Sequence, residues 1–279
     1  MRKFSRLFYG IVVSSVILTI SSKRNSNRTL ADTEQKGYLA LVANGEDFVR
    51  QGFVSKDGWK IDFDRVFVNI GNAVAYSTSD SFEPQKGDTT DSIDYQNKVD
   101  FLDGAVTTDL AKGEEDAEPI VISEVDVPVG FYNALAWKLS TADSDSAIEG
   151  KTIVLQGKAT KDEETIDFNL GFDRPTEYIC GKFIGDDRQG IVAANALAEV
   201  EATFHFDRIF GDGDAPSEDA LNQGALGFEP LAQLASNGTL SVEERELSEQ
   251  LSDEDYQKLS SAIAGLGHVG EGHCEVIRE

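Results

Sequence analysis

The chain of 279 residues holds three histidines, none of them before residue 205: His205, His268 and His273. Imidazole nitrogen ligates zinc, copper and nickel, and three protein ligands with an open or carboxylate position make a common first coordination shell. His268 and His273 share the nine-residue stretch Leu266-Gly-His-Val-Gly-Glu-Gly-His-Cys274. Its three glycines permit positive φ and close backbone approach, so the stretch can fold tightly enough to aim both rings inward. His205 precedes Asp207 at the end of an alternating run. Asp207 and Glu271 are candidates for a fourth ligand, or for the acceptor that fixes a histidine tautomer. The residues alone do not separate copper from zinc.

A second cation candidate is the run Phe206-Asp-Arg-Ile-Phe-Gly-Asp-Gly-Asp214, with Glu218 or Asp219 beyond it. Closely spaced Asp and Gly can wrap calcium in oxygen ligands, but the spacing departs from the twelve-residue calcium loop, and solvated turns are the simpler reading. Cys180 and Cys274 are the only cysteines. In an exported protein the simplest arrangement pairs them; the other makes Cys274 a thiolate ligand beside His273. The disulfide is preferred, because an unpaired thiol is a liability in an oxidising compartment. No nucleophile elbow, phosphate loop, dinucleotide fingerprint or His-Glu-x-x-His helix is present, so the chain reads as non-catalytic. A hydrolytic metal centre would nonetheless need only three histidines and a bound water.

These residues must be positioned by a β framework. Lys60–Ile70 has apolar residues at 61 and 63 and then, after a change of phase, at 66, 68 and 70, the pattern of a strand with one buried face and a bulge at Asp64-Arg65. Further strand-like runs are Val99–Leu102, Ile120–Val127, Tyr132–Leu139, Thr152–Lys158 and Thr165–Phe172, with Pro128-Val129-Gly130 as a turn and 80–98 as a long exposed loop. Ala196–Phe206 alternates strictly through Val200, Ala202, Phe204 and Phe206, which puts His205 on the other face. After Gly211 the character turns helical. Glu229–Ala235 reads as a short helix closed by Asn237-Gly238, and Ser241-Val-Glu-Glu244 and Ser252-Asp-Glu-Asp255 as N-terminal caps. The last of these opens a helix with Tyr256, Leu259 and Ile263 on one stripe, ended by Gly265 and Gly267. The expected fold is mainly β: one antiparallel β-sandwich over residues 37–279, with a small helical C-terminal appendage at 229–265.

Residues 1–31 carry six basic side chains and no acid, and Leu7–Ile20 is an apolar run after Arg2, Lys3 and Arg6. That is the layout of an export signal or N-terminal anchor. The expected location is therefore the periplasm, the cell envelope or the exterior, with membrane contact only through this segment if it stays uncleaved. The formal net charge is −25, and from Asp32 onward 19 basic side chains face 50 acidic ones. Such a surface repels nucleic acid and anionic lipid and favours cationic partners.

The pattern of Asp57-Gly-Trp59, Val99-Asp-Phe-Leu-Asp103, Val127-Pro-x-Gly-x-Tyr132 and Phe204-His-Phe-Asp207, with the His-Val-Gly-Glu-Gly-His-Cys tail, resembles a group of uncharacterised exported or lipoprotein β-sandwich proteins of bacteria. More distantly, the Val-Pro-x-Gly-x-Tyr step is similar to one in the methanobactin-associated periplasmic copper-binding family. That resemblance implies a sandwich fold and copper. The copper family uses an oxidised tryptophan, and neither Trp59 nor Trp137 maps onto it; both read as core residues. The functional expectation is a non-catalytic extracytoplasmic protein that binds a transition metal for uptake, storage or delivery, with an envelope protein or transporter as partner. The other reading is an envelope structural or interaction protein without metal, whose histidines and cysteines fasten the C-terminal tail.

Overall fold

The computed structural model describes residues 35–182, 189–270 and 272–277, with His273 described by its backbone. The basic N-terminal segment 1–31 and Glu271 lie outside the described residues. The strands in chain order are β1 (Lys36–Asn44), β2 (Phe53–Val54), β3 (Lys60–Thr78), β4 (Tyr95–Asp100), β5 (Ala105–Asp109), β6 (Ile120–Pro128), β7 (Gly130–Phe131), β8 (Ala134–Leu139), β9 (Ile153–Lys161), β10 (Glu164–Phe172), β11 (Thr176–Gly181), β12 (Ile191–Val192), β13 (Leu197–Phe204), β14 (Thr239–Glu243), β15 (Gly267–His268) and β16 (His273–Ile277). The helices are α1 (Asp47–Gln51), α2 (Asp207–Phe210), α3 (Ala220–Gly224), α4 (Glu229–Ala232), α5 (Glu244–Gln250) and α6 (Asp253–Ala264).

Two large sheets face each other. The smaller has the order β15-β13-β1-β6, and the larger runs β14-β10-β9-β3-β8-β11-β16, with β2, β4 and β5 also paired to β3. Inward residues of both sheets form one apolar cluster: Leu39 and Leu41 of β1 and Val200, Ala202 and Phe204 of β13 share it with Val66, Val68, Trp137, Leu155 and Tyr178. The fold is mainly β and sandwich-like, as the alternating pattern predicts. Two of its pairings are parallel rather than antiparallel, β1 with β13 and β10 with β14. Each joins segments far apart in the chain, which gives the long crossover that parallel neighbours require.

The long strand β3 curls because its ladders slip at three places, the last between Ser77 and Thr78. One shift falls between Phe63 and Arg65, where the change of apolar phase predicts a bulge, and a second between Gly71 and Val74, where Asn72 takes φ 48. The polar stretch 80–98 is shorter as a loop than expected. Ile93 is buried and β4 begins at Tyr95, whose ring packs 5.4 Å from that of Tyr76. Of Val99–Leu102, the first two residues close β4, while Phe101 turns into the core.

The C-terminal region also departs from a purely helical appendage. Asn237 and Gly238 both take positive φ (53 and 74) and join Ser236 to Thr239 in a tight reversal, so they start β14 rather than end a helix. Ser241 therefore lies inside a strand, and the cap of α5 is Glu243, whose backbone N–H donates to Glu246 Oε2. Ser252 caps α6 as its sequence predicts, accepting from the Asp255 N–H, and Leu259 and Ile263 are buried beneath that helix. Among the described residues no helix is long and apolar enough to cross a membrane.

Candidate metal centre

The inward alternation of β13 ends at Phe204. His205 still donates its backbone N–H to the Leu266 carbonyl at 3.1 Å, and Phe206 then turns into the short helix α2. The glycine-rich tail runs alongside β13 as the next strand. Thr203 lies opposite His268 and Phe204 opposite Gly267 in the antiparallel β13–β15 ladder. Directly opposed residues share a face, as do residues two apart on one strand, so Thr203, His205 and His268 all point away from the Phe204 side. The tail joins the edge of the strand, and there His205 and His268 meet edge to face with centroids 5.0 Å apart and planes at 86°.

Two glycines of the tail answer a close approach, and the third a positive φ. A Cβ on Gly267 would sit 2.7 Å from three carbons of the buried Tyr178 ring, and one on Gly272 would sit 2.6 Å from Val269 Cγ1. Gly270 takes φ 44 and donates its N–H to Thr203 Oγ1 at 3.0 Å, while its carbonyl lies 2.8 Å from His268 Nδ1. In the neutral ring that second contact places the proton on Nδ1 and the lone pair on Nε2, the orientation that a backbone acceptor imposes on metal-binding histidines.

His205 has a carboxylate neighbour that the sequence alone does not announce. Its Nε2 lies 4.0 Å from Glu46 Oε1. The two residues are brought together by the parallel β1–β13 register, in which Asn44 faces Thr203, so that two further residues on each chain reach Glu46 and His205. Hydrogen bonds link the same row: Glu46 donates its N–H to Asn44 Oδ1 at 3.1 Å, Asn44 Nδ2 donates to Glu201 Oε1 at 3.2 Å, and Thr203 Oγ1 donates to the same oxygen at 2.8 Å. A carboxylate at 4.0 Å favours a charged imidazole, but burial opposes it more strongly. Burial first, then His268 and Arg208, push His205 down to about 4, so the ring is neutral at ordinary pH.

The remaining sequence candidates fall as follows. Cys180 and Cys274 face each other across the β11–β16 ladder and form a disulfide, which excludes Cys274 as a thiolate ligand. Such a bond persists in an oxidising compartment. The backbone of His273 opens β16 opposite Gly181, while its side chain and the whole of Glu271 lie outside the described residues. Asp207 is half-buried at the start of α2; burial raises its carboxyl above the ordinary range, and its Oδ1 has no hydrogen-bond partner. Among the described residues no three His, Cys, Asp or Glu side chains are arranged as a group that could hold a metal ion, so Asp207 does not complete a shell with the two histidines. The acidic run 206–214 is organised by an amide instead. Asn222 Nδ2 donates to the carbonyls of Asp212, Ala215 and Pro216, and the Asp212 and Asp219 carboxylates accept from nearby backbone N–H groups. Trp59 and Trp137 are buried core residues.

Compared with family models, curated proteins and solved structures, the chain gives no match.

Proposed function

We propose that this chain is a non-catalytic extracytoplasmic protein that binds a transition-metal ion through His205 and His268, for uptake, storage or delivery. The observation that carries the reading is the 5.0 Å separation of the two rings, from residues 63 positions apart in a chain with three histidines in all. A metal ligated at about 2.0–2.1 Å lies about 3.2 Å from each imidazole centroid, so two imidazoles at a near-tetrahedral angle hold their centroids about 5 Å apart. The Gly270 carbonyl on His268 Nδ1 and the suppressed basicity of His205 both favour the neutral, ligating form. His273 belongs to the same tail and is the natural candidate to join them. Its expected partner is an envelope protein or transporter that exchanges the ion, and the basic, apolar segment 1–31 supports export.

A second reading is that the histidine pair is packing alone, in an envelope structural or interaction protein. It is favoured by one observation: the tail is hydrogen-bonded to both sheets and covalently tied to β11, so it needs no ion to stay in place. Metal analysis of the full chain, purified without a chelating tag and in oxidised form, separates the two. Stoichiometric zinc or copper that disappears in His205→Asn and His268→Asn supports the metal reading. A metal content unaffected by either substitution, or no uptake from a buffered zinc or copper solution, refutes it.

A further inference from the structure

We infer that the end of the sandwich where β1 begins is a membrane-facing surface, which in the full chain rests on the headgroup and acyl boundary of a bilayer. The inference is independent of the metal reading and rests on segment 1–31 acting as an anchor. Nine large apolar side chains stand exposed among the described residues, and five of them, Tyr38, Val129, Phe131, Ile191 and Leu197, lie at this one end. Backbone pairing draws them together. Val129 donates its N–H to the Gln35 carbonyl at 2.9 Å, Tyr38 lies opposite Leu197 in the β1–β13 ladder, and Phe131 lies opposite Ile191 in the β7–β12 ladder. That ribbon is packed against the start of β1, because a Cβ on Gly37 would come within 2.6 Å of Val192 Cγ1. Opposed residues share a face, so two exposed apolar pairs stand beside the same strand end.

The charge of this end sets it apart from the rest of the surface. The chain's net charge is −25, yet the run Ile191-Val-Ala-Ala-Asn-Ala-Leu197 has no charged residue and exposes every side chain but that of Val192. Val129–Phe131 is uncharged as well, and Lys36 is the one charged residue of Gln35–Tyr38. The acidic surface resumes at Asp126, opposite Tyr38, and at Glu199, opposite Ala40. A contiguous exposed apolar patch rimmed by polar residues marks a protein or membrane interaction site.

The point where the chain enters selects the bilayer. Gln35 continues back through residues 21–34 to the apolar run Leu7–Ile20, which has Arg2, Lys3 and Arg6 before it and Lys23 and Arg24 after it, a composition that suits a lipid surface. Residues 21–34 reach about 50 Å at full extension, so a body anchored by that run stays close to the bilayer and is attached at its apolar end. A neutral lipid surface does not repel an acidic body, whereas a second copy carries the same −25.

The test is tryptophan fluorescence of the oxidised full chain on phosphatidylcholine vesicles with and without brominated acyl chains. Trp59 and Trp137 are buried in the core and give a fixed background. Ile191→Trp and Leu197→Trp report on the apolar end. Val54→Trp is the control, because Val54 is exposed and its carbonyl accepts from Gly213, beyond the far end of β13. Brominated lipid is expected to quench the added emission at 191 and 197 about twofold and to leave that at 54 unchanged. Ile191→Asp with Leu197→Asp, both at positions already in solvent, is expected to weaken vesicle binding about tenfold without moving the denaturation midpoint. A full chain that does not bind vesicles overturns the anchor and the inference together. A bound chain with 191 and 197 quenched no more than 54 leaves the anchor standing and overturns the inference. Self-association in lipid-free buffer that the paired Asp variant abolishes, with vesicle binding unaffected, assigns this face to a second copy and overturns it too.

Discussion

Burial of His205 makes a quantitative demand on the stability of the metal-free protein. The folded-state value is about 4 against an ordinary 6.5, a depression caused mainly by burial. Between those two pH values the unfolded chain takes up a proton that the folded chain refuses, so stability falls as pH drops from 6.5 towards 4 and is level above 6.5. At about 1.36 kcal/mol per pH unit, the full effect is about 3 kcal/mol, and by pH 4.5 about 2.5 of it is spent. The ring keeps 26% of its surface exposed, so solvent screening reduces the expected loss to about 2 kcal/mol. Urea unfolding in the presence of a chelator, at pH 7.5 and pH 4.5, on the wild type and on His205→Asn, isolates this contribution, because the many carboxylates titrate alike in both proteins. The wild type should lose about 2 kcal/mol more than the variant over that interval. Equal losses would refute the claim that burial sets the charge of this ring. A wild type steadier in acid than the variant would show instead that Glu46 holds the imidazole protonated.

Three other perturbations probe the frame around the site. Cys180→Ala with Cys274→Ala opens a loop of 94 residues' separation and should cost about 4–5 kcal/mol in the chain-entropy picture, read as a denaturant midpoint matching that of the reduced wild type. Gly267→Ala drives a methyl to 2.7 Å from the Tyr178 ring, which is buried and cannot swing away, so it should destabilise the fold by about 1–3 kcal/mol and weaken zinc binding through the displaced His268. Arg174 donates to the buried Glu244 and to Ser260, tying α5 and α6 to the chain after β10. Arg174→Met should cost about 3 kcal/mol by stranding that carboxylate, and adding Glu244→Leu should recover most of it; a double variant as unstable as the single one would argue against the stranded charge as the cause.

What the sequence discloses follows from whether the cause is local. Val200, Ala202 and Phe204 alternate because one face of β13 is buried, and a period of two is visible in any window containing it. The bulge in β3 is equally local: the extra residue at Asp64 shifts the apolar phase, and the register shift falls there. Asn237-Gly238 misleads because the same two residues end helices and turn hairpins, and only the pairing of β14 with β10 decides between them. Glu46 is hidden for a different reason. It sits in an ordinary acidic turn, Asn44-Gly-Glu-Asp47, and comes beside His205 through a parallel register between strands more than 150 residues apart, which no local pattern encodes. His268 is visible for its composition, not for its contact.

The tail owes its placement to the way it is shared between the sheets. β15 contributes two residues to the small sheet and β16 five residues to the large one, so the turn between them must cross from one layer of the sandwich to the other. A two-residue ladder holds little by itself, and the cost of fixing the backbone on either side has to be met elsewhere. It is met by the β11–β16 pairing with its disulfide, by the burial of Val269, and by the fit of Gly267 on Tyr178. His268 is thus fixed by contacts to both layers while His205 and Glu46 belong to the small sheet and its immediate extensions. On the proposed reading, an ion held by His205 and His268 would bond the crossing segment to that sheet a second time, where its hydrogen-bonded pairing is shortest. Zinc should therefore protect the backbone amides of residues 266–270 from hydrogen exchange more than those of β16, which the disulfide already holds; uniform protection along the tail, or none, would contradict this placement of the ion.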